Sequence, residues 1–189
     1  MSRLIIGIAG YVGSGKTTLS HYFTQGHGFT CISFADKIRE IMVVLGVPME
    51  VLRDPVLKEQ PHPALCGASP RQFMEGIGKV ARDLTNGNLW LQQFVMAGQS
   101  KALIICDDVR HQNEADLIKE NGGFVFRLRV PGQQPRVPTD FKVDELTGVE
   151  DLINDIGVTL QKHLYQFIYA KVFQQIDRDM SYADWFAAR

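Results

Sequence analysis

The chain has 189 residues, 45% of them hydrophobic and 22% charged, enough to bury one substantial core and too few for two. Its formal net charge of −1 argues against a partner such as long nucleic acid, for which a strongly basic balance is expected. Cys31, Cys66 and Cys106 form no CxxC pair and no ligand spacing with the histidines, so they are expected as reduced, buried thiols in a cytoplasmic protein.

In chain order, the first apolar run is Leu4 to Ala9, far short of the roughly 20 residues of a membrane span, and no membrane partner is expected. It reads as a strand over 3–9, followed by a helix over 15–25, a strand over 29–34 and a helix over 36–45, a βαβ opening. Residues 47–68 are irregular. Ser69-Pro70-Arg71-Gln72 then starts a helix with an N-cap serine, proline at the first helical position and a glutamine placed to close a capping box. That helix is expected to stop at Asn86-Gly87, and another runs from Leu89 to Ala97. Ala102 to Cys106 suits a strand buried on both faces. A helix over 113–121, a Gly122-Gly123 stop and a strand over 124–130 repeat the unit, and the Pro- and Gln-rich stretch 131–140 is a loop. A segment around Leu152 to Asn154, a long helix over 158–176 and a short one within 177–189 close the chain. This order predicts one α/β unit over 1–189 with a central parallel sheet, helices on both faces and ligands at the carboxyl ends of the strands.

GYVGSGKTT, residues 10–18, lies at such an end and completes the pattern Gly10-x4-Gly15-Lys16-Thr17. The glycines let backbone amides converge on phosphate, so Gly13, Ser14, Gly15, Lys16, Thr17 and Thr18 are the expected ATP-binding residues. Lys16 neutralises the β and γ phosphates, and Thr17 can ligate Mg²⁺. Cys106-Asp107-Asp108-Val109-Arg110 ends the buried strand; one of its two aspartates suits the magnesium shell, and Arg110 can reach phosphate from the same edge.

On the helix that begins at Ser69, a wheel gathers Arg71, Glu75, Lys79 and Arg82 on one face, with Phe73, Ile77, Val80, Ala81 and Leu84 opposite as the expected core face. Gly76 and Gly78 each cost a helix about 1 kcal/mol relative to alanine, easier to understand if something approaches the backbone there. Asp36-Lys37 also lies at the carboxyl edge, where Asp36 serves either as a cap or as a substrate contact. Trp90 is either core or a wall on which a base stacks. The five histidines show no metal spacing.

In their order, GYVGSGKTT, SFADKIRE, SPRQFMEGIGKVARD followed by NLW, and CDDVRHQNEADLIKENGG resemble the bacteriophage deoxynucleoside monophosphate kinases of the P-loop nucleoside monophosphate kinase group, across most of residues 3–130. The resemblance implies a three-layer α/β/α P-loop NTPase fold and transfer of the γ-phosphate of ATP, with Mg²⁺, to a deoxynucleoside 5′-monophosphate. A cytoplasmic setting, in an infected bacterial host if the chain is viral, goes with it, and a homodimer stays open. By motif position Lys16, Arg71, Asp108 and Arg110 look catalytic, Thr17 and Asp108 look like the metal residues, and Asp36, Lys37, Arg71, Gln72, Glu75, Gly78, Lys79 and Trp90 look like the acceptor site within a helical region at 47–99. One of Arg82, Arg127 or Arg129 would cover the transferring group, and 47–68 and 131–140 are candidate lids. The family often has glutamine where Glu75 stands and threonine where Lys79 stands, so base preference is open. A P-loop kinase of another small acceptor, such as dephospho-coenzyme A, or an ATP-hydrolysing switch shares the opening motif.

Overall fold

The computed structural model describes residues 3–155 together with Gln166, Ile168 and Ala170. Five strands form one parallel sheet: β1 (Leu4–Gly10), β2 (Thr30–Cys31), β3 (Leu103–Val109), β4 (Phe124–Arg129) and β5 (Glu150–Ile153), in the spatial order β2-β3-β1-β4-β5. Seven α-helices connect them: α1 (Lys16–Gly26), α2 (Asp36–Val44), α3 (Met49–Arg53), α4 (Pro70–Leu84), α5 (Asn88–Ala97), α6 (Gln112–Glu120) and α7 (Pro138–Asp144). The architecture is a three-layer α/β/α P-loop kinase fold. Apart from its three described positions, the helix expected over 158–176 lies outside the described residues, as does the one expected within 177–189.

β1 is the centre of the sheet and every one of its residues is buried. Its side chains alternate between faces, as a strand requires. Leu4, Ile6 and Ile8 join Leu19 and Phe23 of α1, and Ile5 and Ala9 join Phe94 of α5 and Ala115 and Ile118 of α6. Gly7 belongs to the second face, where a Cβ would stand 2.7 Å from the Ile118 side chain, so its absence lets α6 lie close on the sheet. A third, separate core of Met42, Val47, Leu52 and Leu65 lies beneath the helical stretch between β2 and β3, with Met74 and Ile77 of α4 packed on it.

Four expectations need correction. The second strand ends at Cys31 instead of residue 34, because the amides of Phe34 and Ala35 donate to the Asp108 carboxylate at 2.9 and 3.0 Å and leave the ladder. The loop expected over 131–140 contains the start of α7, with Pro138 at its first turn and the buried Asp140 carboxylate accepting from the amides of Arg136 and Val137. The face of α4 expected in the core is largely outside: Phe73 and Val80 are exposed and Leu84 is 81% exposed. The inward face of α4 carries Arg71, Glu75 and Arg82, flanked by Met74 and Ile77. Cys31 and Cys66 are exposed, and Cys106 alone of the three free cysteines is buried.

Candidate active site

The strand-to-helix turn after β1 has the backbone that phosphate binding needs. Gly13 and Gly15 take φ of 82° and 95°, a left-handed conformation costly for any other residue type. Gly15 caps α1 without a side-chain hydrogen bond, and no acidic residue stands in the first turn. The amides of that turn therefore present positive charge outward, with Thr17 and Thr18 exposed on it. The Ser14 hydroxyl oxygen is buried without a partner among the described residues.

The Lys16 ammonium donates to the carbonyls of Gly10 at 2.8 Å and Tyr11 at 2.6 Å. Burial, with Arg110 nearby, lowers its pKa to about 8. A half-buried cation hydrogen-bonded to carbonyls, beside an orphaned hydroxyl and a helix N-terminus, fits an anion.

Residues far away in sequence brace the loop. Asn154, just past β5, donates to the Ser14 carbonyl at 2.7 Å, and Gln133 donates to the Val12 carbonyl at 2.7 Å. Asp140 accepts from the Val12 amide at 3.2 Å, and the Tyr11 hydroxyl donates to Asp144. None of these four was singled out from sequence; Asp140 alone carried a local cue, two residues after a helix-starting proline.

Beyond Lys16, at the carboxyl edge of β3, opens a cleft of about 150 Å³ between α2, α4, α5 and the start of α6. Arg39, Lys58, Arg71, Arg82 and Arg110 line it, against the carboxyl groups Glu75, Asp108 and Glu114. Lys58 is held below its ordinary pKa by burial, with Arg71, Arg110 and Arg39 adding to the effect. Burial, with Arg82 and Arg110 nearby, lowers the His111 pKa to about 4. Apolar walls come from Phe34, Ile38, Met74 and Trp90. Trp90 is 4% exposed and donates from its indole nitrogen to the Gly78 carbonyl at 3.2 Å, while Phe34 stacks on Phe94 with centroids 4.4 Å apart. Gly78 is the close approach that its cost in a helix suggested: a Cβ there would press on Ile38 and the Arg82 guanidinium. Gly76 has open space around it.

Of the residues expected in the acceptor site, Arg71, Glu75, Gly78 and Trp90 line the cleft together with Asp108 and Arg110, while Asp36, Lys37, Gln72 and Lys79 do not. Asp36 accepts from the Ser33 amide at 2.8 Å and pairs with Arg39 at 2.7 Å. Lys37 pairs with Glu40, and Gln72 accepts from the Ser69 amide at 3.3 Å in the predicted capping box. Lys79, 75% exposed, pairs with Asp83 one turn on, because it lies just past the edge of the inward stripe. Arg127 and Arg129 are also committed elsewhere. Arg127 donates to Asp151 and to the carbonyls of Val143, Asp144 and Leu146, and Arg129 pairs with Asp144 and Asp151. They clamp α7 to β5, which leaves Arg82 as the member of that trio in the cleft. Sequence reading also missed Arg39 and Lys58: one sits behind Asp36-Lys37, the other on a 3-10 turn over 57–59 inside a segment read as irregular.

The two aspartates of β3 separate as alternation along a strand demands. Asp107 faces α1, accepting from the Ser20 hydroxyl at 3.0 Å and the Ser33 hydroxyl at 3.3 Å, one turn beyond Thr17. Asp108, expected as the metal residue, is half-buried on the other side with its two oxygens engaged by the amides of Phe34 and Ala35, and burial pushes its pKa up. The geometry therefore gives the P-loop side to Asp107 and makes Asp108 the anchor of the cleft wall. No cluster of three or more His, Cys, Asp or Glu among the described residues could hold a metal.

A Gly-rich loop joining the central strand of a parallel sheet to a helix, with an acidic residue ending the neighbouring strand, defines a P-loop protein that binds a nucleoside triphosphate. No family model matches the chain. Over 146 residues, 68% of this chain and 75% of its relative, it is 31% identical to a protein of Acanthamoeba polyphaga mimivirus named "Putative deoxynucleotide monophosphate kinase". The chain belongs to that deoxynucleotide monophosphate kinase-like family of P-loop phosphotransferases. Among solved structures it is similar to a sugar kinase from Janibacter sp. HTCC2649 (15% identity, TM-score 0.42, covering 92% of this chain and 96% of that one). It is also similar to shikimate kinase from Bacteroides thetaiotaomicron (16% identity, TM-score 0.34, covering 91% and 78%). Among the described residues no helix is long and apolar enough to cross a membrane.

Proposed function

We propose that the protein transfers the γ-phosphoryl group of ATP to a deoxynucleoside 5′-monophosphate. One observation carries this reading: a single cleft at the strand ends is lined both by the cations Arg39, Lys58, Arg71 and Arg110 and by the aromatic and apolar side chains of Phe34, Ile38, Met74 and Trp90. An acceptor with a doubly charged phosphate at one end and a flat, largely apolar base at the other matches that polarity. The helical stretch 47–99 supplies Lys58, Arg71 and Trp90 and serves as the acceptor-binding region of one P-loop unit.

The acceptor oxygen is already ionised, so the chemistry needs alignment and charge neutralisation instead of a covalent nucleophile. The amides of residues 13–18 and Lys16 hold the donor phosphates; in closing on them, the Lys16 ammonium exchanges two carbonyls for phosphate oxygens. Arg71 and Lys58 grip the acceptor phosphate, and Arg110, between the two sites, covers the group in transit. Magnesium supplies further neutralisation of the phosphate oxygens when bound, and Thr17 and Asp107 are the residues that would hold it. The name of the mimivirus relative supports the acceptor class. Trp90 and Phe34 give the cleft a wall with no partner for a 2′-hydroxyl, whose burial without a hydrogen bond costs about 1–3 kcal/mol and favours deoxyribose about 5- to 150-fold.

The test is ADP release from ATP with each of the four deoxynucleoside monophosphates, their ribose counterparts, dephospho-coenzyme A, and no acceptor. Release that depends on a deoxynucleoside monophosphate is expected. Equal release without acceptor, as an ATP-hydrolysing switch would give, or turnover with dephospho-coenzyme A alone, overturns the proposal.

A further inference from the structure

Glu75 is a carboxyl group that lines the cleft beside Arg71, with which it forms a long ion pair. Its Oε1 is shielded from solvent without a hydrogen bond among the described residues. Its nearest charged neighbour is Arg71, whose Nη1 stands 3.7 Å away, too far for a hydrogen bond. Arg71 is itself engaged through its Nε by Glu59. A carboxylate offers acceptors only, so its shielded Oε1 calls for a donor, which a ligand in the cleft can supply.

The position restricts which donor. A phosphate held by Arg71 brings negative charge close to Glu75, so the phosphate itself cannot be the partner. The base lies further along, toward the apolar walls at Trp90 and Phe34. What lies between is the sugar, and a 2′-deoxyribose joined through its 5′-oxygen offers a single hydroxyl.

Resting on the reading that the cleft takes a deoxynucleoside monophosphate, we propose that Glu75 is a specificity-determining residue that accepts the hydrogen bond of the acceptor's 3′-hydroxyl, so that the enzyme requires that hydroxyl. The same contact gives Glu75 its place next to Arg71: each aligns one end of the sugar-phosphate, and the carboxylate keeps the guanidinium turned into the cleft. A glutamine at this position would retain an amide oxygen that can accept the same bond.

The experiment compares kcat/KM for a 2′-deoxynucleoside monophosphate and its 2′,3′-dideoxy analogue, in the native protein, Glu75→Gln and Glu75→Ala. In the native protein the dideoxy analogue is expected to be about 5- to 150-fold worse, the cost of leaving a buried acceptor unmade. Glu75→Gln retains a preference, and Glu75→Ala handles the two acceptors alike, with the loss appearing against the monophosphate and the KM for ATP little changed. A native enzyme that phosphorylates the deoxynucleotide but takes the dideoxy analogue equally well overturns the proposal while leaving the kinase reading intact. So does discrimination that survives in Glu75→Ala. Absence of turnover with every nucleoside monophosphate overturns both readings together.

Discussion

Lys16 is deprived of water in the free protein, and nucleotide binding should reverse this. Its pKa stands at about 8 because burial, with Arg110 nearby, penalises the ammonium. Phosphate drawn into the loop brings opposite charge and returns the lysine to its ordinary range. Binding must then take up protons, in an amount set by pH: about 0.1 at pH 7, about 0.5 at pH 8 and about 0.9 at pH 9 for a group that starts from this pKa. Calorimetry of a non-hydrolysable ATP analogue in buffers of different ionisation enthalpy measures the uptake, with Lys16→Met as the control that keeps the apolar stem and subtracts the analogue's own protonation. That variant also loses about 10²- to 10³-fold in kcat, because the lost charge is one the transition state needs. The shift acts on stability too. The folded pKa lies below the ordinary 10.5, so between about pH 8 and 10.5 the unfolded chain holds the extra proton, and the free protein gains stability relative to Lys16→Met as pH rises through that window. The gain is at most about 3 kcal/mol, from roughly 1.36 kcal/mol per pKa unit. Proton uptake that does not change between pH 7 and 9, or a Lys16→Met enzyme with more than about a tenth of native kcat, refutes the assignment.

The two aspartates of β3 should separate in a magnesium titration: Asp107→Asn raises the Mg²⁺ concentration for half-maximal rate and leaves the acceptor KM little changed, whereas Asp108→Asn raises the acceptor KM and lowers the melting temperature by loosening Phe34 and Ala35; the reverse pattern returns the metal to Asp108. Glu114 is buried with its pKa raised to about 7, chiefly by burial and then by Asp108, while it accepts from the amides of Arg110 and His111. Its folded pKa lies above the unfolded one, so its contribution is full below about pH 4.5 and is lost as pH rises to about 7; Glu114→Gln should flatten that decline, by up to about 3 kcal/mol, in urea melts across the range. Arg71→Ala should raise KM for the monophosphate at least about tenfold with little change for ATP, whereas Lys79→Ala, on the outer side of the same helix, should change neither by more than about twofold; equal effects of Arg71→Ala on both substrates would assign it to the donor side or to general structure.

The sequence alone determined whatever depends on neighbours in the chain. The P-loop is legible because its amides, its lysine and its threonine lie within nine consecutive residues, and the capping box at Ser69 and Gln72 is legible because a helix start is a four-residue event. The parallel sheet followed from alternating apolar runs and amphipathic stretches. What the wheel could not decide is which side of α4 meets the protein: of its charged stripe Arg71, Glu75 and Arg82 face the cleft but Lys79 does not, and it placed Phe73, Val80 and Leu84 in a core that does not reach them. It could not part Asp107 from Asp108 either, because that choice depends on which layer covers each face of β3. Arg39 and Lys58 are ordinary surface-looking cations in the sequence and become site residues when α2 and the turn before α4 fold over the strand ends. Asn154, Gln133 and Asp140 reach the P-loop from more than 100 residues away. Local pattern fixes where phosphate can be held; only the packing of distant segments fixes which charges face it, because charge acts through space and takes no account of chain order.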